Sequence, residues 1–113
     1  MNTSKIKTLF LIAKSRLNQM GKCSIRCRIT HNQERYEFAT GYFIYPNHWY
    51  SKLQQAKPPN DENTFVNSQL SLIKSKINQA FLYLQVNNPD FTIDDLINQY
   101  KGVPIKKELK LNF

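Results

Sequence analysis

Glycine is scarce in this chain, and the three present, Gly21, Gly41 and Gly102, each stand alone. A glycine-rich loop able to cradle phosphates is therefore excluded. Cysteine is scarcer still. Cys23 and Cys27 lie four residues apart in a segment that alternates like a strand, a separation of about 13 Å at roughly 3.3 Å per residue. A disulfide needs Cα atoms within about 7 Å, so the two cannot pair with each other and are expected as small buried hydrophobes. The only histidines, His31 and His48, show no ligand spacing, and no metal site is expected. Long apolar runs are missing as well. The longest, Leu9 to Ala13, is far below the roughly 18 to 20 residues a membrane-spanning helix needs. Lys14 and Arg16 follow it where a signal peptide would place small residues for cleavage, so neither secretion nor membrane insertion is expected. Serine, histidine and acids occur, but no strand-turn-helix context presents a nucleophile. Asp94 and Asp95 come nearest to paired carboxylates, yet neighbours on a helix point about 100° apart. Neither enzymatic activity nor a cofactor is expected.

Acidic residues are few, 8 against 16 lysines and arginines, for a formal net charge of +8. Such a balance favours polyanionic partners. With 113 residues, 41% hydrophobic and 12% aromatic, the chain suits one modest domain, with a tail. The basic excess is segregated. Residues 1–35 carry Lys5, Lys7, Lys14, Arg16, Lys22, Arg26, Arg28 and Arg35 against Glu34 alone, whereas residues 36–113 are nearly balanced. All four arginines fall in the first part. Arginine grips phosphates and guanine edges bidentately, where lysine is often a solubilising charge. A merely solvated basic face is the competing explanation.

Lys5 to Ala13 reads as a first strand, and polar Lys14 to Gly21 as a loop. Lys22 to Thr30 alternates, with Cys23, Ile25, Cys27 and Ile29 on one face and Lys22, Ser24, Arg26, Arg28 and Thr30 on the other. Asn32 and Gln33 can centre a tight turn, since asparagine tolerates positive φ. Arg35 to Thr40 then forms a third strand, punctuated by Gly41. This register sets Ile29 against Tyr36, Cys27 against Phe38 and Ile25 against Thr40; on the other face it sets Thr30 against Arg35, Arg28 against Glu37 and Arg26 against Ala39. A slip of one residue would oppose apolar to charged side chains throughout. Tyr42, Phe43, Tyr45, Pro46, Trp49 and Tyr50 are expected to wrap onto the core, and polar Lys52 to Asn60 to form an exposed loop.

A long helix is expected from Asp61 or Asn63, because Val66, Leu70, Ile73, Ile77, Ala80 and Leu84 recur at spacings of four and three. Phe65, Phe81 and Tyr83 widen this stripe beyond a coiled-coil seam, which favours burial against the sheet. Asn87-Asn88-Pro89 stops it. Thr92 caps a second, shorter helix with Asp94 and Asp95 in its first turn, apolar Ile93, Leu96, Ile97 and Tyr100 on one face, and Gly102 at its end. The fold class is α+β: a three-stranded antiparallel sheet packed against a long helix, followed by a short helix. Val103 to Phe113 is basic, then apolar at Leu109, Leu111 and Phe113, like a linker.

The run Gly21-Lys22-Cys23-Ser24-Ile25-Arg26-Cys27-Arg28-Ile29-Thr30, with Asn32 in the turn, Arg35 after it, Thr40-Gly41 and then Trp49, resembles a known family. It is similar to the N-terminal arm-type DNA-binding domain of phage-like integrases, the tyrosine recombinases of Bacteroides-type mobile elements. The likeness continues through the helix from about Asn63 to Val86 and the Phe91 to Leu96 helix start, and rests on the order of parts. It implies a three-stranded sheet whose exposed face enters the major groove at arm sites, away from strand cleavage. It also implies a core-binding and a catalytic domain in full-length relatives, and a tyrosine nucleophile that has no place in these 113 residues. Residues 1–102 would then be the arm-type domain and 103–113 a linker. Relatives usually have Asn-Gly in the turn, often proline at the position of Ser24 and an aromatic at that of Arg26, so no DNA sequence preference is carried over.

Arg26 and Arg28 are the leading candidates for base or phosphate contact, with Ser24, Thr30 and Arg35 beside them; Lys14, Arg16 and Lys22, with Lys5 and Lys7, would position the backbone. Arg28 could instead pair with Glu37 across the strands. The expected partners are double-stranded DNA and, in a full-length protein, further integrase domains and protomers. The isolated domain is expected to be monomeric and cytoplasmic, with no membrane partner. Two other readings stay open: a protein-interaction module using the helical stripe and the tail, and a single-strand binder using Tyr42, Phe43 and Tyr45.

Overall fold

A computed structural model describes residues 6–57 and 60–102. Three antiparallel strands, β1 (Ile6–Leu17), β2 (Cys23–His31) and β3 (Glu34–Ile44), form a sheet in that order. A short ribbon of β4 (Trp49–Tyr50) and β5 (Gln55–Ala56) follows, then α1 (Asp61–Asn87) and α2 (Ile93–Lys101). The chain divides into two compact units, Met1–Ile73 and Lys74–Phe113, so that α1 contributes to both. The expected Lys5 strand start and the linker from Val103 lie outside the described residues.

Strict alternation in β2 decides which face of the sheet is the core. Cys23, Ile25, Cys27 and Ile29 are fully buried, while the residues between them are half-exposed. Burial pushes both thiols up, Cys27 to about 12, and both are free, so they serve as packing groups. The β2–β3 register contains five of the six expected pairs, from Thr30 opposite Arg35 to Arg26 opposite Ala39. The sixth, Ile25 with Thr40, falls in a bulge: two extra residues of β3 are accommodated before Ser24 meets Phe43. There the Thr40 hydroxyl donates to the Ile25 carbonyl at 2.7 Å and accepts from the Tyr42 amide at 3.2 Å. Gly41, with φ of 91°, lets β3 bend and continue rather than stop.

The turn between β2 and β3 places both Asn32 (φ 50°) and Gln33 (φ 70°) in the left-handed region, as a two-residue hairpin of type I′ requires. Asparagine adopts this region readily; glutamine does not. Replacing Gln33 with glycine relieves roughly 1–2 kcal/mol of left-handed strain and gives back about 0.5–1 kcal/mol in unfolded-chain entropy. Gln33→Gly is therefore expected to raise stability by about 0.5 kcal/mol, read as a higher urea midpoint with an unchanged slope. A lowered midpoint would show that the Gln33 side chain itself secures the turn.

Further expectations need correction. Lys14 to Leu17 belong to β1 rather than to a loop: past an irregularity between Ile12 and Leu17 the strand resumes pairing, with Leu17 opposite Cys23. Only Asn18 to Gly21 turn, held by the Asn18 side chain, which accepts from the Met20 and Lys22 amides at 2.9 and 3.0 Å. The segment read as a loop from Lys52 contains β5, whose Ala56 amide and carbonyl are both met by the Asn67 side chain at 2.7 and 2.9 Å. Of the aromatic stretch, Trp49 is buried and the Tyr42 hydroxyl reaches Gln69 at 3.0 Å, but Phe43, Tyr45 and Tyr50 are exposed.

Asn60 caps α1, its side chain accepting from the Glu62 and Asn63 amides at 2.8 and 3.2 Å. Val66, Leu70, Ile77, Ala80 and Leu84 are buried as the stripe requires. Phe65 and Tyr83 are exposed, so the stripe is narrower than expected; Phe65 still meets Tyr42 edge-on at 6.2 Å. In the second unit Phe81 packs edge-on against Phe91 at 5.9 Å, and Ile93, Leu96 and Ile97 are buried. Thr92 and Asp95 form a reciprocal capping box, and Gly102 closes α2 at φ 72°.

Candidate nucleic-acid interface

Opposite the buried face, the three strands present a block three residues wide and three deep. Residues paired across antiparallel strands share a face, so the register gives its rows directly. Lys7, Thr30 and Arg35 form one row, Leu9, Arg28 and Glu37 the next, and Leu11, Arg26 and Ala39 the third. Along each strand successive outward residues lie about 7 Å apart. Beyond the bulge Ser24 continues the face with Phe43 opposite, a residue 45% exposed. The structure thus brings together Ser24, Arg26, Arg28, Thr30 and Arg35 from the sequence-derived set.

The facing of β1 was not readable from sequence, because Leu9 and Leu11 are as apolar as Phe10 and Ile12. Phe10 points to the core and is buried, which turns Leu9 and Leu11 outward beside the arginines. The Phe10 amide, on the free edge of β1, donates to the Gln54 side chain at 2.9 Å, which occupies that edge position.

Electrostatically the centre of the block is an ion-pair cluster. Arg28 approaches one Glu37 oxygen through both Nε and Nη2 at 2.7 Å, and Arg26 Nε donates to the other oxygen at 3.2 Å. Hydrogen bonding from Arg28, and then from Arg26, holds the Glu37 carboxyl below the usual carboxylate range despite partial desolvation. The cross-strand Arg28–Glu37 pair was legible; the diagonal from Arg26 was not.

Three remaining candidates stand apart. Lys22 is bound to Glu62 of α1 at 2.8 Å and sits over the Tyr45 ring at 5.0 Å, and the Glu62 hydrogen bond raises its pKa. Lys14 and Arg16 lie at the irregular end of β1, both exposed, outside the block. Asn63, buried beneath the ribbon, is a structural residue that sequence reasoning missed; its amide donates to the Lys57 carbonyl at 3.1 Å and meets His48 Nδ1 at 3.3 Å. Among the described residues no group of three or more histidines, cysteines or acids could hold a metal ion, and no helix is long and apolar enough to cross a membrane.

No match was found to a curated protein or to a solved structure. A family model does match, over residues 10–97, which takes in nearly all of the sheet, the ribbon, α1 and the start of α2; by this match the chain belongs to the Arm DNA-binding domain family, a non-catalytic DNA-binding domain found at the N-termini of phage integrases.

Proposed function

We propose that the outer sheet face enters the major groove of double-stranded DNA and reads its sequence, as the arm-site-binding domain of a site-specific recombinase. The observation that supports this best is the block itself: Lys7, Arg26, Arg28 and Arg35 gathered on the solvent face of a three-stranded sheet whose other face is the core. A β-ribbon fits the major groove, and arginine is the common partner of guanine O6 and N7 there. Thr30 and Ser24 supply adaptable hydroxyls, and Leu9 and Leu11 suit thymine methyl groups. Lys14 and Arg16 contact phosphates and fix the register, and Lys22 joins them only by leaving Glu62. Residues 1–102 act as the binding domain and 103–113 as the linker toward further integrase domains, which carry the catalysis.

The first test is affinity for mixed-sequence duplex against salt, from about 50 to 300 mM, by fluorescence anisotropy. Each neutralised phosphate contributes about 0.9 to the slope of log K against log salt, so several contacts give a slope of several units. A flat slope, or no binding at low salt, would leave the basic face as a solvated surface. It would then favour a protein-interaction module, for which exposed Leu82, Tyr83 and Val86 on α1 offer apolar surface. Tighter binding to single strands than to duplex would transfer the role to exposed Phe43 and Tyr45.

A further inference from the structure

A carboxylate at the centre of a surface meant for a polyanion needs a reason. Glu37 is the only acid in the nine-residue block, and it engages both central arginines at once, through separate oxygens. The three side chains remain about a third exposed, Arg26 at 34%, Arg28 at 30% and Glu37 at 32%, so the cluster lies at the surface where DNA would meet it. Its geometry also divides the guanidinium nitrogens. Arg26 meets Glu37 through Nε and Arg28 through its Nε–Nη2 side, so neither arginine commits Nη1 to the carboxylate.

We propose that Glu37 is a positioning and discriminating residue of the DNA-binding face: it holds the arginine pair by the inner edge, presents the outer nitrogens to guanine, and disfavours phosphate at the same place. The proposal rests on the major-groove reading above and specifies how that face separates sequence from backbone. A phosphate binds arginine best through a bidentate edge. At Arg28 Glu37 already occupies such an edge, and any phosphate drawn to the pair must sit beside a second anion. Guanine O6 and N7 are neutral acceptors, so base contact brings no charge repulsion and leaves both Glu37 contacts in place. Holding the two long side chains before binding also lowers the ordering cost of the specific complex.

The experiment uses the full chain and two probes: a duplex carrying the site that the wild type selects from a random library, and a mixed-sequence duplex. Glu37→Gln keeps the shape and removes the charge. It is expected to bind mixed-sequence duplex about 10-fold more tightly, with a salt slope steeper by about 1 to 2 units as the two arginines turn to phosphates. Affinity for the selected site should not rise in step, so the ratio between the probes falls about 10-fold. Glu37→Asp retains charge but loses reach, and is expected to keep mixed-sequence binding weak while losing affinity for the selected site. An equal gain on both probes for Glu37→Gln would reduce Glu37 to net charge and overturn the proposal. Parallel losses that track a lower thermal midpoint would reduce it to a structural residue, and an unchanged Glu37→Asp would remove the positioning role. Wild type that binds neither probe at about 50 mM salt would overturn the major-groove reading itself. Wild type that discriminates, beside a Glu37→Gln that discriminates equally, would overturn the role of Glu37 alone.

Discussion

Alanine at Arg26 is expected to weaken binding to the preferred duplex by about 1–3 kcal/mol, roughly 5- to 150-fold, while mixed-sequence binding falls much less. The reason lies in where Arg26 stands. It occupies the central strand, Leu11 and Ala39 flank it in its row, and its guanidinium is committed to Glu37 only through Nε. Small and apolar neighbours leave its terminal nitrogens clear access to a base edge. Arg16 provides the contrast. Exposed at the irregular end of β1, it has no such frame, and Arg16→Ala is expected to weaken both duplexes alike and to shallow the salt slope by about 1 unit. Anisotropy titrations of the two variants on both duplexes check the contrast. Equal losses on both duplexes for Arg26→Ala would assign it to the phosphates and move base reading elsewhere on the face.

What could be foreseen of this site followed from the physical strength of each signal. The β2–β3 hairpin was legible because polar and apolar residues alternate without exception from Lys22 to Thr30, and Asn32 marks the turn. Wherever alternation failed, so did the reading. β1 is apolar on both parities between Leu9 and Ile12, so period two could not say which side is buried; only pairing with β2 decides it. Lys14 to Leu17 carry no apolar alternation at all, yet the strand runs on through this irregular stretch until Leu17 pairs with Cys23, a tertiary backbone contact that leaves little trace in side-chain chemistry. Gly41 was ambiguous for a different reason, since a positive φ can end a strand or kink one that continues. The two-residue strands of the ribbon are too short for any period, and the hydrogen bonds of Ala56 in β5 to Asn67 are tertiary. Helix ends were read more surely, because caps are local: Thr92 with Asp95 and Gly102 behave as their spacing requires. The arginine face was therefore visible in the sequence, whereas the diagonal bond that joins Arg26 to Glu37 required the register and side-chain reach together.

The division of the sheet into a structural and a binding face makes adjacent residues behave oppositely, and Ile29 with Thr30 shows this most sharply. Ile29 is fully buried in the central strand, between Thr8 on β1 and Tyr36 on β3. Truncation to alanine removes three methyl or methylene carbons and leaves a cavity between two strands that cannot close without breaking register, so Ile29→Ala is expected to cost about 2–5 kcal/mol. Against the roughly 5–15 kcal/mol that holds a domain together, that is a large fraction. The thermal midpoint should fall by about 10 °C or more. Thr30, one residue on, faces solvent beside Lys7 and Arg35, and Thr30→Ala should change stability by no more than about 0.5 kcal/mol. Urea unfolding of the two variants separates them, and equal destabilisation would mean that the two faces have been assigned wrongly. Ile29→Val completes the argument. It should lose about 0.5–1.5 kcal/mol of stability and remain folded with its DNA affinity intact, because the side chain it alters never reaches the face that binds.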